Sequence, residues 1–277
     1  MSILEETAAL ARERLGDSYF SRQRLERLVV GIFFTGVKLS GGPGGVCFTP
    51  VKDIPQAVCC PSSAARTFDP TAAAGLPVEQ ALTGLTSPEP LKTAVAIAVL
   101  GALSAACWER GLTGGFSIQK NVDAKDRVRL GPDAKTAVVG AFVPVLRRLR
   151  QRGGTWWVLE QDPRTLRGEE LDHYVPADQA GAVVPQADVL IVTGVTLINH
   201  TLEVLLKMAR PGAEIAVMGP TAGLLPEPMF QRGVRVAGGV WVRRPDELLD
   251  VLAAGGSGYH FFDTLADRIV IENDRAG

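Results

Sequence analysis

The chain has 277 residues, enough for one large domain or two of ordinary size, and 46% of them are apolar. That fraction implies a filled core and excludes a disordered chain. The 29 basic and 30 acidic side chains leave a net charge of −1, which argues against a broad nucleic-acid footprint.

The opening residues, MSILEETAALARERLG, have neither the basic start nor the apolar core of a signal peptide. Ile3 to Arg14 fits an amphipathic helix stopped by Gly16. Leu28 to Thr35 is an apolar β-type run. Thr35, Val37 and Leu39 then alternate with Gly36, Lys38 and Ser40. GGPGG, Gly41 to Gly45, reads as a flexible turn and Val46 to Thr49 as the returning strand, giving a hairpin or small meander. Asp53 to Thr71 reads largely as loop. Val78 to Leu85 suits a short helix and Pro88 to Gly111 a long, alanine-rich one. Its most apolar part, Ala94 to Ala106, is short for a bilayer span. A cytoplasmic protein with no membrane partner is therefore expected.

The polar stretch Gly114 to Pro132 suggests a boundary, with residues 1–120 forming a smaller α+β domain and 121–277 a larger one. Beyond it, strands alternate with helices. Ala137 to Phe142, Thr155 to Glu160, Val189 to Val192, Ile215 to Met218, Val234 to Val242 and Arg268 to Glu272 are strand candidates. Val145 to Gln151 and Asp246 to Ala254 are helix candidates. This alternation predicts an α/β fold with a Rossmann-like, mostly parallel sheet.

Ligands of such sheets bind at the carboxyl ends of the strands, which directs attention to the residues just past each run. Gly140 sits at the first strand-to-helix turn, but Ala141 and Phe142 follow it and no G-x-G-x-x-G is present, which weakens a dinucleotide reading. Glu160, at the next strand end, could accept ribose-like hydroxyls. In TGVTLINHT, Thr193 and Thr196 can hydrogen-bond an anion or a hydroxyl, Gly194 can admit a ligand to the backbone, and Asn199 can donate and accept at a helix entrance. Simple capping by Thr196 or Asn199 explains the same residues. In the companion loop GPTAGLLPEPMF, Gly219 permits unusual backbone angles and Thr221 could share a ligand with Thr193; a rigid connection without a ligand is the other reading.

Metal and nucleophile signatures are weaker. The three histidines, His173, His200 and His260, are scattered, and H-E-x-x-H, G-x-S-x-G and Cys-x-x-Cys are all missing. Cys59 and Cys60 are adjacent while Cys47 and Cys107 stand alone, the pattern of buried free thiols. Lys38 and Lys120 read as surface charges with a crevice as the alternative, and Arg147, Arg148, Arg150 and Arg152 as a solvated helix face.

The segments VVGAFVPVLRRLRQRG, VLEQDP, PQADVLIVTGVTLINHTLEVLL and GPTAGLLPEPMFQRGVRVAGG, in that order, resemble the family called putative heavy-metal chelation proteins. The resemblance implies an enolase N-terminal-like domain joined to a Rossmann-like domain, with a ligand crevice between them. Thr193, Gly194, Thr196 and Asn199 match the family's T-G-x-T-x-x-N segment, and Gly219, Pro220 and Thr221 its G-P-[ST] loop. The chain departs from the family at Ala141, often polar in relatives, and at His200, often smaller. The expected function is binding or modification of an anionic small metabolite or metal chelator in that crevice. Two alternatives stay open: a nucleotide- or S-adenosylmethionine-dependent transferase, and a non-enzymatic protein that binds or traffics a metal–organic chelate. Direct storage of soft metals would require clustered thiolates and imidazoles. A homo-oligomer is expected only as the common case for soluble proteins.

Overall fold

A computed structural model describes residues 1–54 and 69–273. Ser2 starts the first helix, Ile3–Leu15, through a capping box with Glu5, and Gly16 ends it with its N–H on the Arg12 carbonyl at 2.8 Å. The chain then folds into an antiparallel meander of β1 (Leu25–Val30), β2 (Phe34–Leu39) and β3 (Gly44–Phe48). The expected flexible turn is thus shorter than GGPGG. Gly41 and Gly42 make it, at φ +90° and +112°, whereas Gly44 and Gly45 belong to β3. A Cβ on Gly45 would lie 2.0 Å from the Ala98 carbonyl oxygen. The missing side chain is what lets the strand lie directly on the helix Pro90–Glu109.

That helix has 20 residues. It is therefore longer than the apolar stretch expected from sequence, and long enough to cross a bilayer. Of its most apolar window, 89% is buried inside the protein, so its apolar surface is already covered. The meander lies between this helix and a second one, Pro245–Ala253, whose Leu249 and Leu252 pack over Gly36. Arg27 pairs with Asp246 and Asp250 at 2.9 and 2.7 Å, and Lys38 with Asp246 at 2.8 Å. Lys38 is therefore committed to the junction between the two parts.

The larger sheet contains β4 (Ile118–Lys120), β5 (Thr136–Val139), β6 (Trp156–Glu160), β7 (Tyr174–Pro176), β8 (Val189–Thr193), β9 (Glu214–Met218), β10 (Val236–Val242) and β11 (Ala266–Glu272). Their spatial order is β4-β11-β10-β9-β8-β5-β6-β7. The six strands from β7 to β10 are parallel, and β11 and β4 add antiparallel at one edge. Counted along the chain, the parallel strands follow the 3-2-1-4-5-6 order of doubly wound sheets, which reverses direction between β5 and β8. β4 and β7, of three residues each, are too short to show a period and were not expected. β4 lies inside the polar stretch Gly114 to Pro132 that suggests a boundary in the sequence.

β8 is buried on both faces. Leu190 and Val192 join the cluster that includes Ile97, Leu100 and Leu103 of the long helix. Val189 and Ile191 join the opposite one, with Leu146 and Leu149 of the helix Val143–Arg152. A continuous apolar strand is the expected signature of such a position. The result is a two-domain α/β architecture in which a small antiparallel sheet and a larger mixed sheet share one core.

Candidate functional site

Where the strand order reverses, the carboxyl ends of β5, β6 and β8 face the β1–β2 turn and the segment after β3 across a cleft of about 670 Å³. Gly140, Glu160, Thr193, Thr196 and Asn199 all line it. Gly140 has φ +97°, and a Cβ there would stand 3.1 Å from the Thr193 side chain. Glycine is thus required both by the turn and by the strand beside it.

The Glu160 carboxylate does more than face the cleft. Its Oε2 accepts the Ala141 N–H at 3.0 Å, and its Oε1 accepts the N–H groups of Gln161 at 2.8 Å and Asp162 at 3.4 Å. The first strand-to-helix turn is where a phosphate would ordinarily seek backbone donors. Here the protein's own carboxylate holds one of them, and Pro144, in the first turn of the helix, has no N–H to offer. A carboxylate offers about four acceptor directions, and three are used, so Glu160 keeps room for one ligand hydroxyl. This turn therefore offers a phosphate few free backbone donors, in keeping with the missing G-x-G-x-x-G.

Thr193 and Thr196 are tied together locally. The Thr193 Oγ1 accepts the Val195 N–H at 3.3 Å, and the Thr196 hydroxyl donates to the Thr193 carbonyl at 2.6 Å. Asn199 and His200, expected at a helix entrance, lie before it, since the helix runs Leu202–Met208. The Asn199 Oδ1 accepts from the Thr201 N–H and hydroxyl at 3.3 and 2.7 Å. His200 takes φ +57° and is exposed, away from the lining.

The loops carrying Gly194 and Thr221 do meet, but against each other. A Cβ on Gly194 would lie 2.9 Å from the Ala222 N and 3.2 Å from the Thr221 Cβ, so this glycine serves loop packing and not ligand approach. Thr221 is buried, and its Oγ1 accepts the Phe48 N–H from β3 at 3.0 Å. It joins the two sheets and does not line the cleft. Burial pushes the neighbouring Cys47 thiol well above its ordinary range, with Thr221 and Phe48 opposing weakly. Gly219, at φ +118°, lines a separate depression beside Phe142 and Tyr259. One ligand shared by Thr193 and Thr221 is not what this geometry provides.

The opposite wall is built from residues in which the sequence shows no site signature. Ile32 and Phe33, in the β1–β2 turn, are 64% and 45% exposed at the cleft mouth, with Val51, Lys52 and Asp53 beside them. The one available signal was an apolar run, LVVGIFF, that continues into a turn where burial would not demand it. Lys52 reaches Asp162 at 2.6 Å. Arg164 first and Lys52 second hold the Asp162 carboxyl below the usual carboxylate range.

The histidines have local roles. His173 stacks on Trp156 with ring centroids 3.6 Å apart, and His260 Nδ1 accepts the Ser257 N–H at 3.0 Å. Lys120 lies 3.8 Å from the Trp241 ring centroid. Among the described residues, no group of three or more His, Cys, Asp or Glu could hold a metal ion. Cys59 and Cys60 lie outside the described residues.

Comparison with known proteins agrees with this architecture. The family described as "Putative heavy-metal chelation" matches residues 123–271, and a second family with the same description matches residues 12–104. A protein of unknown function from the DUF364 family of Pyrococcus horikoshii superposes with a TM-score of 0.76 at 18% identity, covering 98% of this chain and 100% of its own. A second DUF364 protein of unknown function, from Desulfitobacterium hafniense, gives 0.72 at 18% identity and covers 98% of each chain. At that identity the likeness speaks to the fold. No curated protein matches.

Proposed function

We propose that this chain, which belongs to the putative heavy-metal chelation family, binds a small organic molecule in the cleft at the ends of β5, β6 and β8. The observation that carries this reading is the pairing of two unlike walls around about 670 Å³ of space. One wall offers Glu160 and the Thr193–Thr196 pair; the other exposes Ile32 and Phe33. Such a site suits a ligand with a hydroxyl-bearing part and an apolar face. A metal would arrive within an organic chelator and be recognised through the organic part. Lys52, Asp53 and Glu160 leave the lining without excess positive charge, so an anionic substituent would lie outside the cleft floor. No bond-making step is assigned to these residues.

Native mass spectrometry of gently purified protein tests the reading. A retained organic mass, with or without metal, should be lost from Glu160→Ala and Thr193→Val. Bare metal retained without an organic mass, and indifferent to both substitutions, would overturn it.

A nucleotide or S-adenosylmethionine ligand is the second reading. It is favoured by the 3-2-1-4-5-6 strand order and by a carboxylate at the end of the second parallel strand, the place where a ribose is bound in such sheets. Calorimetric titration with adenosine and with S-adenosylmethionine separates the two readings. Binding of either that depends on Glu160 supports the second; binding of neither removes it.

A further inference from the structure

Beside the cleft lies a second depression, of about 460 Å³, lined by Val143, Arg147, Arg150, Thr165, Arg167 and Glu170. Thr165 lines both spaces, so the two adjoin. Arg147 and Arg150 are three apart on the helix Val143–Arg152, which makes them neighbours on one face. The other face of that helix buries Val145, Leu146 and Leu149. Arg167 comes from a different element, the segment between β6 and β7. Arg167 thus brings a third guanidinium, from another part of the chain, to the depression that Arg147 and Arg150 line.

The charges there do not cancel. Glu170 is the one carboxylate in the lining, and its Oε2 already accepts the Arg167 backbone N–H at 2.9 Å. Arg150 forms long ion pairs with Glu170 at 3.8 Å and Glu169 at 3.7 Å, without a hydrogen bond to either. Arg147 has no hydrogen bond or ion pair among the described residues. Among the described residues Arg147 and Arg167 thus have no carboxylate partner and Arg150 only two long ion pairs, and guanidinium forks match phosphate oxygens in pairs.

We propose that Arg147, Arg150 and Arg167 form an oxyanion pocket that receives a phosphate group of the molecule whose hydroxyl-bearing part lies against Glu160. The pocket's affinity for an oxyanion stands by itself; the identity of its ligand as the cleft's ligand rests on the cleft reading. This arrangement reconciles the two halves of the site. Glu160 keeps anions off the first strand-to-helix turn, and the arginines provide for them one helix face away.

The test is titration of the full chain with inorganic pyrophosphate, followed by calorimetry and phosphorus NMR. The wild-type protein should bind it, more weakly at high salt. The double substitution Arg147→Gln, Arg167→Gln should weaken binding roughly tenfold or more, with an unchanged melting temperature. Arg129→Gln, an exposed arginine outside both spaces, should have no effect. Absence of pyrophosphate binding overturns the proposal, as does equal weakening by Arg129→Gln, which would mark general surface charge. Loss of the cleft's organic mass in Glu160→Ala with pyrophosphate binding indifferent to the arginines would overturn the pocket alone. The converse would leave the pocket standing and overturn the cleft reading.

Discussion

The Glu160 carboxylate accepts the Ala141 N–H at 3.0 Å across the gap between β6 and β5. The turn that would cradle a phosphate is thereby closed by an acid of the same sheet. This contact holds the Gly140 turn in place without a ligand, and it sets the polarity of whatever enters the cleft.

Replacing Glu160 by alanine leaves three backbone donors, of Ala141, Gln161 and Asp162, to be satisfied by water. Because the group is partly exposed, the expected loss is modest, about 1 kcal/mol in urea unfolding. Glu160→Gln, which keeps one acceptor oxygen, should lose less. A larger loss in the glutamine protein than in the alanine protein would contradict this account.

Thr221→Val removes the acceptor for the Phe48 N–H inside the junction between the two sheets. A buried donor left unpaired costs about 1–3 kcal/mol. Hydrogen exchange at the Phe48 amide should accelerate in the valine protein and stay close to wild type in Thr221→Ser. Unaltered exchange in Thr221→Val would show that the contact does not secure the junction.

Gly45→Ala places a Cβ 2.0 Å from the Ala98 carbonyl oxygen and 2.5 Å from the Ala102 N. Both are backbone atoms of a buried helix and cannot swing aside. The expected cost is about 3 kcal/mol or more, at the upper end of overpacking, seen as a sharp drop in melting temperature or soluble yield. Gly41→Ala meets nothing within 4 Å and carries only its left-handed backbone penalty, about 1–2 kcal/mol. Equal effects at the two positions would refute the packing argument.

Cys107 sets an alkaline limit. Burial pushes its thiol from 9.0 up to about 11, with Arg14 and Arg110 opposing. Below pH 9.0 the thiol is protonated in both the folded and the unfolded chain, and its contribution is fully present. Above that the unfolded chain releases a proton that the folded chain retains, so stability falls between about pH 9 and 11. Denaturation midpoints in that window should slope downward in the wild type and more gently in Cys107→Ala, whatever the absolute stability of the variant. Rapid alkylation of Cys107 in the native protein at neutral pH would contradict its burial.

The longer strands of the parallel sheet are legible because they read as apolar runs, most plainly β8, which is buried on both faces. β4 and β7 were not, since three residues cannot display a period. The carboxyl-edge residues Gly140, Glu160, Thr193, Thr196 and Asn199 could be chosen because strand ends are local features. Gly194, Gly219 and Thr221 also follow strand ends, and tertiary contacts give them other surroundings. Gly194 is filled by Ala222, Gly219 faces a different depression, and Thr221 binds β3 from more than 170 positions away in sequence.

The sequence by itself determined where the longer strands and helices lie, where their polar ends fall, and that the chain fills a core. Those properties depend on neighbours within a few residues. Only the tertiary structure decided that Ile32 and Phe33 wall the cleft, that Glu160 satisfies the Ala141 amide, and that Arg167 joins Arg147 and Arg150. Each of these is a meeting of residues from separate elements. Their positions are set by how the meander packs under the long helix and how β5 and β6 lie side by side, and no local pattern of side chains encodes such distances.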